Sequence, residues 1–199
     1  MTNASPSRPG VGDALILVDV QNDFLPGGAL AVPEGDRVVA PLTQVAARFA
    51  ELGLPVFATR DWHPQDHCSF AAQGGPWPPH CIAESDGAAF ASDLGLPAGT
   101  VIVSKATEPG KDAYSGFEGT TLAAQLAERQ VRRVFVGGLA TDYCVLNTVR
   151  DALAAGFEVV LLTDAIRAVE VNPGDGQRAL AEMVASGAVV GSAVQAPAA

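Results

Sequence analysis

Short apolar runs alternate with helix-periodic segments along most of this chain, and that alternation constrains the fold more than any other feature. Ala14-Leu-Ile-Leu-Val-Asp-Val20 is a compact apolar run bounded by Gly12 and by Pro26-Gly-Gly28. A run with so little polar alternation reads as a strand covered on both faces, as in a parallel sheet. Val38, Leu42, Val45, Phe49 and Leu52 then recur at spacings of 4, 3, 4 and 3. They form one apolar helix face, with Asp36 as expected N-cap and Gly53 as the stop. Further strands are expected at Pro55–Thr59, Thr100–Ser104, Arg133–Val136, Glu158–Leu162 and Ala188–Val190. Helices are expected over about 120–130, 142–155 and 174–186. The pattern predicts an α/β protein, a three-layer α/β/α domain around a mostly parallel central sheet. One domain over 13–195 is expected, behind a disordered tail at 1–12; 199 residues suffice for its core.

In such sheets ligands bind beyond the carboxyl ends of the strands. Four chemically distinct residues fall there: Asp19, Asp61, Lys105 and Cys144. Each alone has an ordinary role, as turn residue, solvated cation or buried filler. Their common edge argues for a built site. Cys144 ends the stretch Gly137-Gly-Leu-Ala-Thr-Asp-Tyr-Cys144, a strand-to-helix turn with Thr141 as expected N-cap. The first helical turn would lower the thiol pKa and supply N–H groups for an oxyanion. A cysteine nucleophile also needs a proton acceptor. Asp19, with Lys105 as a charge-coupled neighbour, is the best-placed group if the histidines are engaged elsewhere.

All three histidines lie in one window, Asp61-Trp-His63 through His67 to Trp77-Pro-Pro-His80-Cys81. Histidine is the commonest metal-ligating side chain. Asp61 and His63 are two apart, so in extended backbone they face the same way. With His67 and His80 returning on a Gly- and Pro-rich loop, they suit an open, catalytic-type cation site. Mixed carboxylate and imidazole donors suit Zn²⁺, Fe²⁺ or Mn²⁺. Cys68 and Cys81 adjoin these histidines, so a Cys/His structural zinc site stays open as a rival. The loop over about 62–98 is long enough to be read as functional.

Charge and composition exclude other classes. The formal charge is −10, from 12 Lys+Arg against 22 Asp+Glu, with no basic stripe for nucleic acid or an anionic membrane. No apolar run approaches the roughly 20 residues of a membrane span. The N-terminal stretch lacks the apolar core of a secretory signal. Three cysteines cannot all pair, which suits a reducing, cytoplasmic setting. A monomer or small homo-oligomer is expected.

Asp19-Val-Gln-Asn-Asp-Phe24, Asp61-Trp-His63, Trp77-Pro-Pro-His80-Cys81, the Lys105 strand end, Tyr114-Ser-Gly-Phe-Glu-Gly119 and Gly138-Leu-Ala-Thr-Asp-Tyr-Cys144-Val145 together resemble the nicotinamidases among the isochorismatase-like cysteine hydrolases. The resemblance runs from about residue 13 to 190. It implies an Asp19–Lys105–Cys144 triad that deamidates nicotinamide, and pyrazinamide, through a thioester. It implies one divalent cation, Zn²⁺ first, on Asp61, His63 and His80, with His67 as a ligand in part of the family. It implies ring contacts from Phe24, Trp77, Tyr114 and Leu139. A cis peptide is implied at Leu139–Ala140, with an oxyanion hole from the N–H groups of Ala140 and Cys144. Tyr143 stands where some relatives have His. Two alternatives stay open. One is a superfamily amidase acting on a ureido or carbamoyl compound, which offers no ring nitrogen. The other is a non-catalytic metal or thiol protein.

Overall fold

The structure is a computed structural model and describes residues 8–193. Six parallel strands form the sheet: β1 (Asp13–Val18), β2 (Val56–Asp61), β3 (Val101–Lys105), β4 (Arg133–Leu139), β5 (Glu158–Arg167) and β6 (Val189–Gly191). Their order is β3-β2-β1-β4-β5-β6, so the chain reverses direction of growth between β1 and β4. Four helices cover the sheet: α1 (Val39–Glu51), α2 (Leu122–Glu128), α3 (Leu146–Ala154) and α4 (Asp175–Ala185).

All six residues of β1 are buried. Its alternate side chains enter two cores. Leu15 and Leu17 pack with Leu42, Val45 and Phe49 of α1. Ala14, Ile16 and Val18 pack with Leu122 and Leu126 of α2, Val149 of α3 and Met183 of α4. One helix on one face and three on the other make the three layers expected of an apolar parallel strand. Among the described residues no helix is long and apolar enough to cross a membrane.

Several boundaries differ from the sequence expectation. A single 3-10 turn, Gly35–Val38, precedes α1, and Asp36 makes no capping bond. Leu52 falls past the helix and is 40% exposed, while Gly53 takes the positive φ (+67°) of a helix stop. β4 continues through Gly137-Gly138 to Leu139, and β5 runs on to Arg167 beside it. Only glycine fits at 138: φ is +132°, and a Cβ there would lie 2.0 Å from the Val18 carbonyl oxygen. Residues 8–12 of the expected tail are tied down. Arg133 donates to the Arg8 carbonyl, and Gly10 N–H donates to Asp13 Oδ2. The rest of that tail and positions 194–195 lie outside the described residues.

Candidate active site

The carboxyl ends of β1, β2, β3 and β4 meet at one point. The chain leaves β1 at Asp19, whose φ is +48°. Asp61 and Lys105 are the last residues of β2 and β3 and stand opposite each other in register. Lys105 Nζ is the hub. It lies 3.0 Å from Asp19 Oδ2 and 3.4 Å from Cys144 Sγ, and it donates to the Ala113 carbonyl at 3.2 Å. It also pairs with Asp61 Oδ1. Thr59 Oγ1 donates to Asp19 Oδ1 at 2.6 Å. Asp19 Oδ2 has the lysine charge beside it but no well-directed hydrogen bond.

These groups are almost wholly buried, and their acidities diverge. Burial raises the pKa of Asp19 above the usual carboxylate range; Lys105 opposes this and Asp61 adds to it. Burial would raise Asp61 too. There Lys105, with help from His63, outweighs it and holds the carboxylate low. Lys105 is desolvated, yet Asp19 and Asp61 keep it firmly charged. Cys144 departs from the expected low pKa. Burial pushes the thiol well up, although Lys105 pulls the other way. Cys144 lies within a five-residue π turn, Thr141–Val145, ahead of α3, and the cap position is Ala140 rather than Thr141. The burial that raises the thiol also raises the basicity of the carboxylate beside it.

The histidine window forms the adjoining wall. Ligand atoms of Asp61, His63 and His80 all lie within 4.8 Å of one another. His63 Nδ1 donates to the His80 carbonyl at 3.0 Å, and His80 Nδ1 to the Pro78 carbonyl at 2.8 Å. Each ring thus keeps its Nε2 lone pair for a cation, the arrangement usual for ligating histidines. Burial lowers the His63 pKa to about 4, which keeps that lone pair available. This donor set fits a divalent cation.

His67 does not join that group. Its Nε2 donates to the Lys111 carbonyl at 3.0 Å, and its Nδ1 accepts from Ser69 Oγ at 2.8 Å. Through these bonds His67 ties two loops together, and with His63 and Asp112 it forms a second group whose ligand atoms lie within 4.8 Å of one another. It stacks behind His63, with ring centroids 4.3 Å apart. Cys68 and Cys81 are free thiols and belong to none of the possible metal-holding groups among the described residues.

A cavity joins the two walls. Phe24, Trp77, Tyr114, Ala140 and Cys144 line it, beside Asp61, His63 and His80. Leu139 does not; its side chain is fully buried among the α1-side core residues. The Leu139–Ala140 peptide is cis. Tyr143 also lines the cavity and meets Trp77 edge-on at 5.0 Å. Leu30, Asp112 and Val169 also line it. No spacing in the sequence points to those three, because distant loops deliver them.

The isochorismatase domain model matches residues 13–195, and the chain belongs to that family. A curated relative, the nicotinamidase of Escherichia coli, is 40% identical over 89% of this chain and 93% of its own length. The pyrazinamidase of Pyrococcus horikoshii, solved in complex with zinc, is 51% identical with a TM-score of 0.87, covering 91% of this chain and 99% of that one. The PnC1 protein of L. infantum, solved with nicotinate, is 38% identical with a TM-score of 0.82, covering 94% and 95%.

Proposed function

We propose that this chain is an amidohydrolase that converts nicotinamide to nicotinate and ammonia, and accepts pyrazinamide as a ring isostere. The observation that carries this is a single cavity presenting three groups together. These are the thiol of a buried Asp19–Lys105–Cys144 cluster, a cation-type donor set, and aromatic side chains lining the same cavity.

A thiol with a carboxylate base and a lysine beside it suits covalent catalysis. Asp19 takes the Cys144 proton as Sγ attacks the carboxamide carbon. Lys105, fixed between them, offsets the negative charge on both. The N–H groups of Ala140 and Cys144 are assigned to the oxyanion that forms. Asp19 then passes its proton to the departing amide nitrogen, which leaves as ammonia. A water molecule, deprotonated by Asp19, attacks the thioester carbon. The C–S bond breaks, the acid is released, and Sγ regains a proton.

Asp61, His63 and His80 would hold the cation, Zn²⁺ first and Fe²⁺ or Mn²⁺ by the same donor chemistry. When bound, it supplies a Lewis-acid anchor for the ring nitrogen of the substrate. Phe24 and Trp77 are assigned to the ring faces and Tyr114 to the pocket wall. A cytoplasmic setting belongs to this proposal, since all three cysteines are unpaired.

The test is ammonia release from nicotinamide by purified protein, before and after chelation and with each metal restored. Release that falls on chelation and returns with metal supports the proposal. Silence under every metal discards the substrate and turns attention to ureido and carbamoyl amides.

A further inference from the structure

The segment after β1 does more than carry Asp19 and Phe24. We propose that Gln21 and Asp23 are positioning residues for the cation site, each holding the main chain of one ligand-bearing segment. The inference rests on the cation-dependent function just proposed.

The register between β1 and β2 ends at Val18 and Thr59. β2 runs two residues further, to Asp61, with β1 already turned away. The side chain of Gln21 fills the place of the missing strand. Its Oε1 accepts the Asp61 N–H at 2.8 Å, and its Nε2 donates to the Asp61 carbonyl at 2.8 Å. The second amide hydrogen goes to the Ala88 carbonyl at 2.9 Å. Gln21 is fully buried, so each of these bonds replaces one that water cannot make. One carboxamide thereby pairs both main-chain groups of the residue whose carboxylate faces Lys105 and the histidines.

Asp23 does the corresponding work for His80. Its Oδ2 accepts the N–H of Cys81 at 2.7 Å, and its Oδ1 accepts the N–H of Ala29 at 3.1 Å. Cys81 has φ +46°, a conformation costly for a residue with a Cβ, so it needs outside support. The Cys81 carbonyl in turn accepts the His63 N–H at 3.0 Å. Asp23 therefore anchors the junction where the two histidine segments meet. Gly87 packs straight onto it; a Cβ there would lie 2.2 Å from Asp23 Oδ2. Neither Gln21 nor Asp23 lines the cavity, so any effect on the cation must pass through the ligands.

The experiment measures Zn²⁺ affinity of the full chain by competition with a chromogenic chelator. It compares wild type with Gln21→Met, Gln21→Glu and Asp23→Asn, with circular dichroism reporting the fold. Thr148→Val is the control, because Thr148 is equally buried but bonds Gly116 N–H and no main-chain group of a ligand-bearing segment. Gln21→Met should weaken Zn²⁺ binding about 10- to 100-fold, and Asp23→Asn about 10-fold. Gln21→Glu keeps the acceptor but sets a buried carboxylate against the Asp61 and Ala88 carbonyls, and should weaken binding at least as much as Gln21→Met. Thr148→Val should lose thermal stability and keep wild-type affinity. In turnover, Gln21→Met should lower kcat and raise KM, because Asp61 serves both Lys105 and the cation. Asp23→Asn should raise KM alone. Folded Gln21 and Asp23 variants with wild-type Zn²⁺ affinity overturn the inference. So does a Thr148→Val loss as large as theirs. If Gln21→Met does not fold, Gln21→Glu and Asp23→Asn decide by the same criteria. Folded wild type that binds no Zn²⁺ overturns the cation function itself, a result separate from any difference among variants.

Discussion

The floor of the cavity and its loop wall are built by different means. Asp19, Asp61, Lys105 and Cys144 follow four neighbouring strands, so sheet register brings them together. A strand pairing that already buries two cores fixes the distances between their charges. His63, Trp77 and His80 come instead from a segment between β2 and β3 that contains only isolated bridges and one short 3-10 turn. Its order comes from side chains and carbonyls that bond across it, such as Gln21, Asp23 and His67. Damage to the floor should therefore cost chemistry and stability. Damage to the wall should cost cation and substrate affinity.

The largest effect expected is at the floor. Cys144→Ala should lower kcat by about 10⁴-fold or more while Zn²⁺ content and fold persist, as for loss of a covalent nucleophile. Turnover near wild type by steady-state assay would remove Cys144 from the chemistry and erase the contrast. Lys105→Met comes next. It leaves the Asp19 and Asp61 carboxylates buried together without their shared cation. The expected loss is about 3–5 kcal/mol of unfolding free energy, read from urea denaturation, with turnover lost as well. A variant as stable as wild type would mean that the floor is not held by charge.

At the wall, His80→Ala removes a ligand outright, so it should raise KM and weaken Zn²⁺ binding by more than the indirect Gln21 and Asp23 changes do, with a smaller change in kcat. Metal analysis alongside initial rates checks this. A kcat loss matching that of Cys144→Ala would show that wall and floor act as one unit.

The floor was legible in the sequence because strands announce themselves. An apolar run marks each strand, and the polar residue at its end marks the site; Asp19, Asp61 and Lys105 need nothing more. The helix at Cys144 was also visible, but its effect on acidity was not. Burial of the thiol is a property of the packed cavity, and it reversed the expected direction for Cys144. On the wall, clustering identified the histidines but could not sort them. Asp61, His63 and His80 share one group because carbonyls at His80 and Pro78 orient the rings. Carbonyls have no sequence signature. The burial of Leu139 was hidden for a related reason: the strand it ends runs on past the glycines, and its side chain packs in the core. The side-chain amide of Gln21, doing the work of a strand, left no periodic trace at all.

His67 offers the finest division of the wall and the smallest expected change in cation binding. Its sequence neighbourhood resembles that of a ligand, but both ring nitrogens are committed to Ser69 and Lys111. Ser69 lines the cavity, and Lys111 precedes Asp112, Ala113 and Tyr114, which line it too. His67→Phe keeps the ring and removes both bonds, leaving the buried Ser69 hydroxyl without its acceptor and the Lys111 carbonyl without its donor. The expected cost is about 1–3 kcal/mol of stability. KM should rise a few-fold as the Asp112–Tyr114 wall loosens, while one Zn²⁺ per chain remains bound at near wild-type affinity. Stability by denaturation and affinity by chelator competition, read on the same preparation, separate the two roles. If His67→Phe weakens Zn²⁺ as much as His80→Ala does, His67 must turn from Lys111 to the cation when one binds. The wall would then rearrange on loading in a way that the floor, locked by sheet register, cannot.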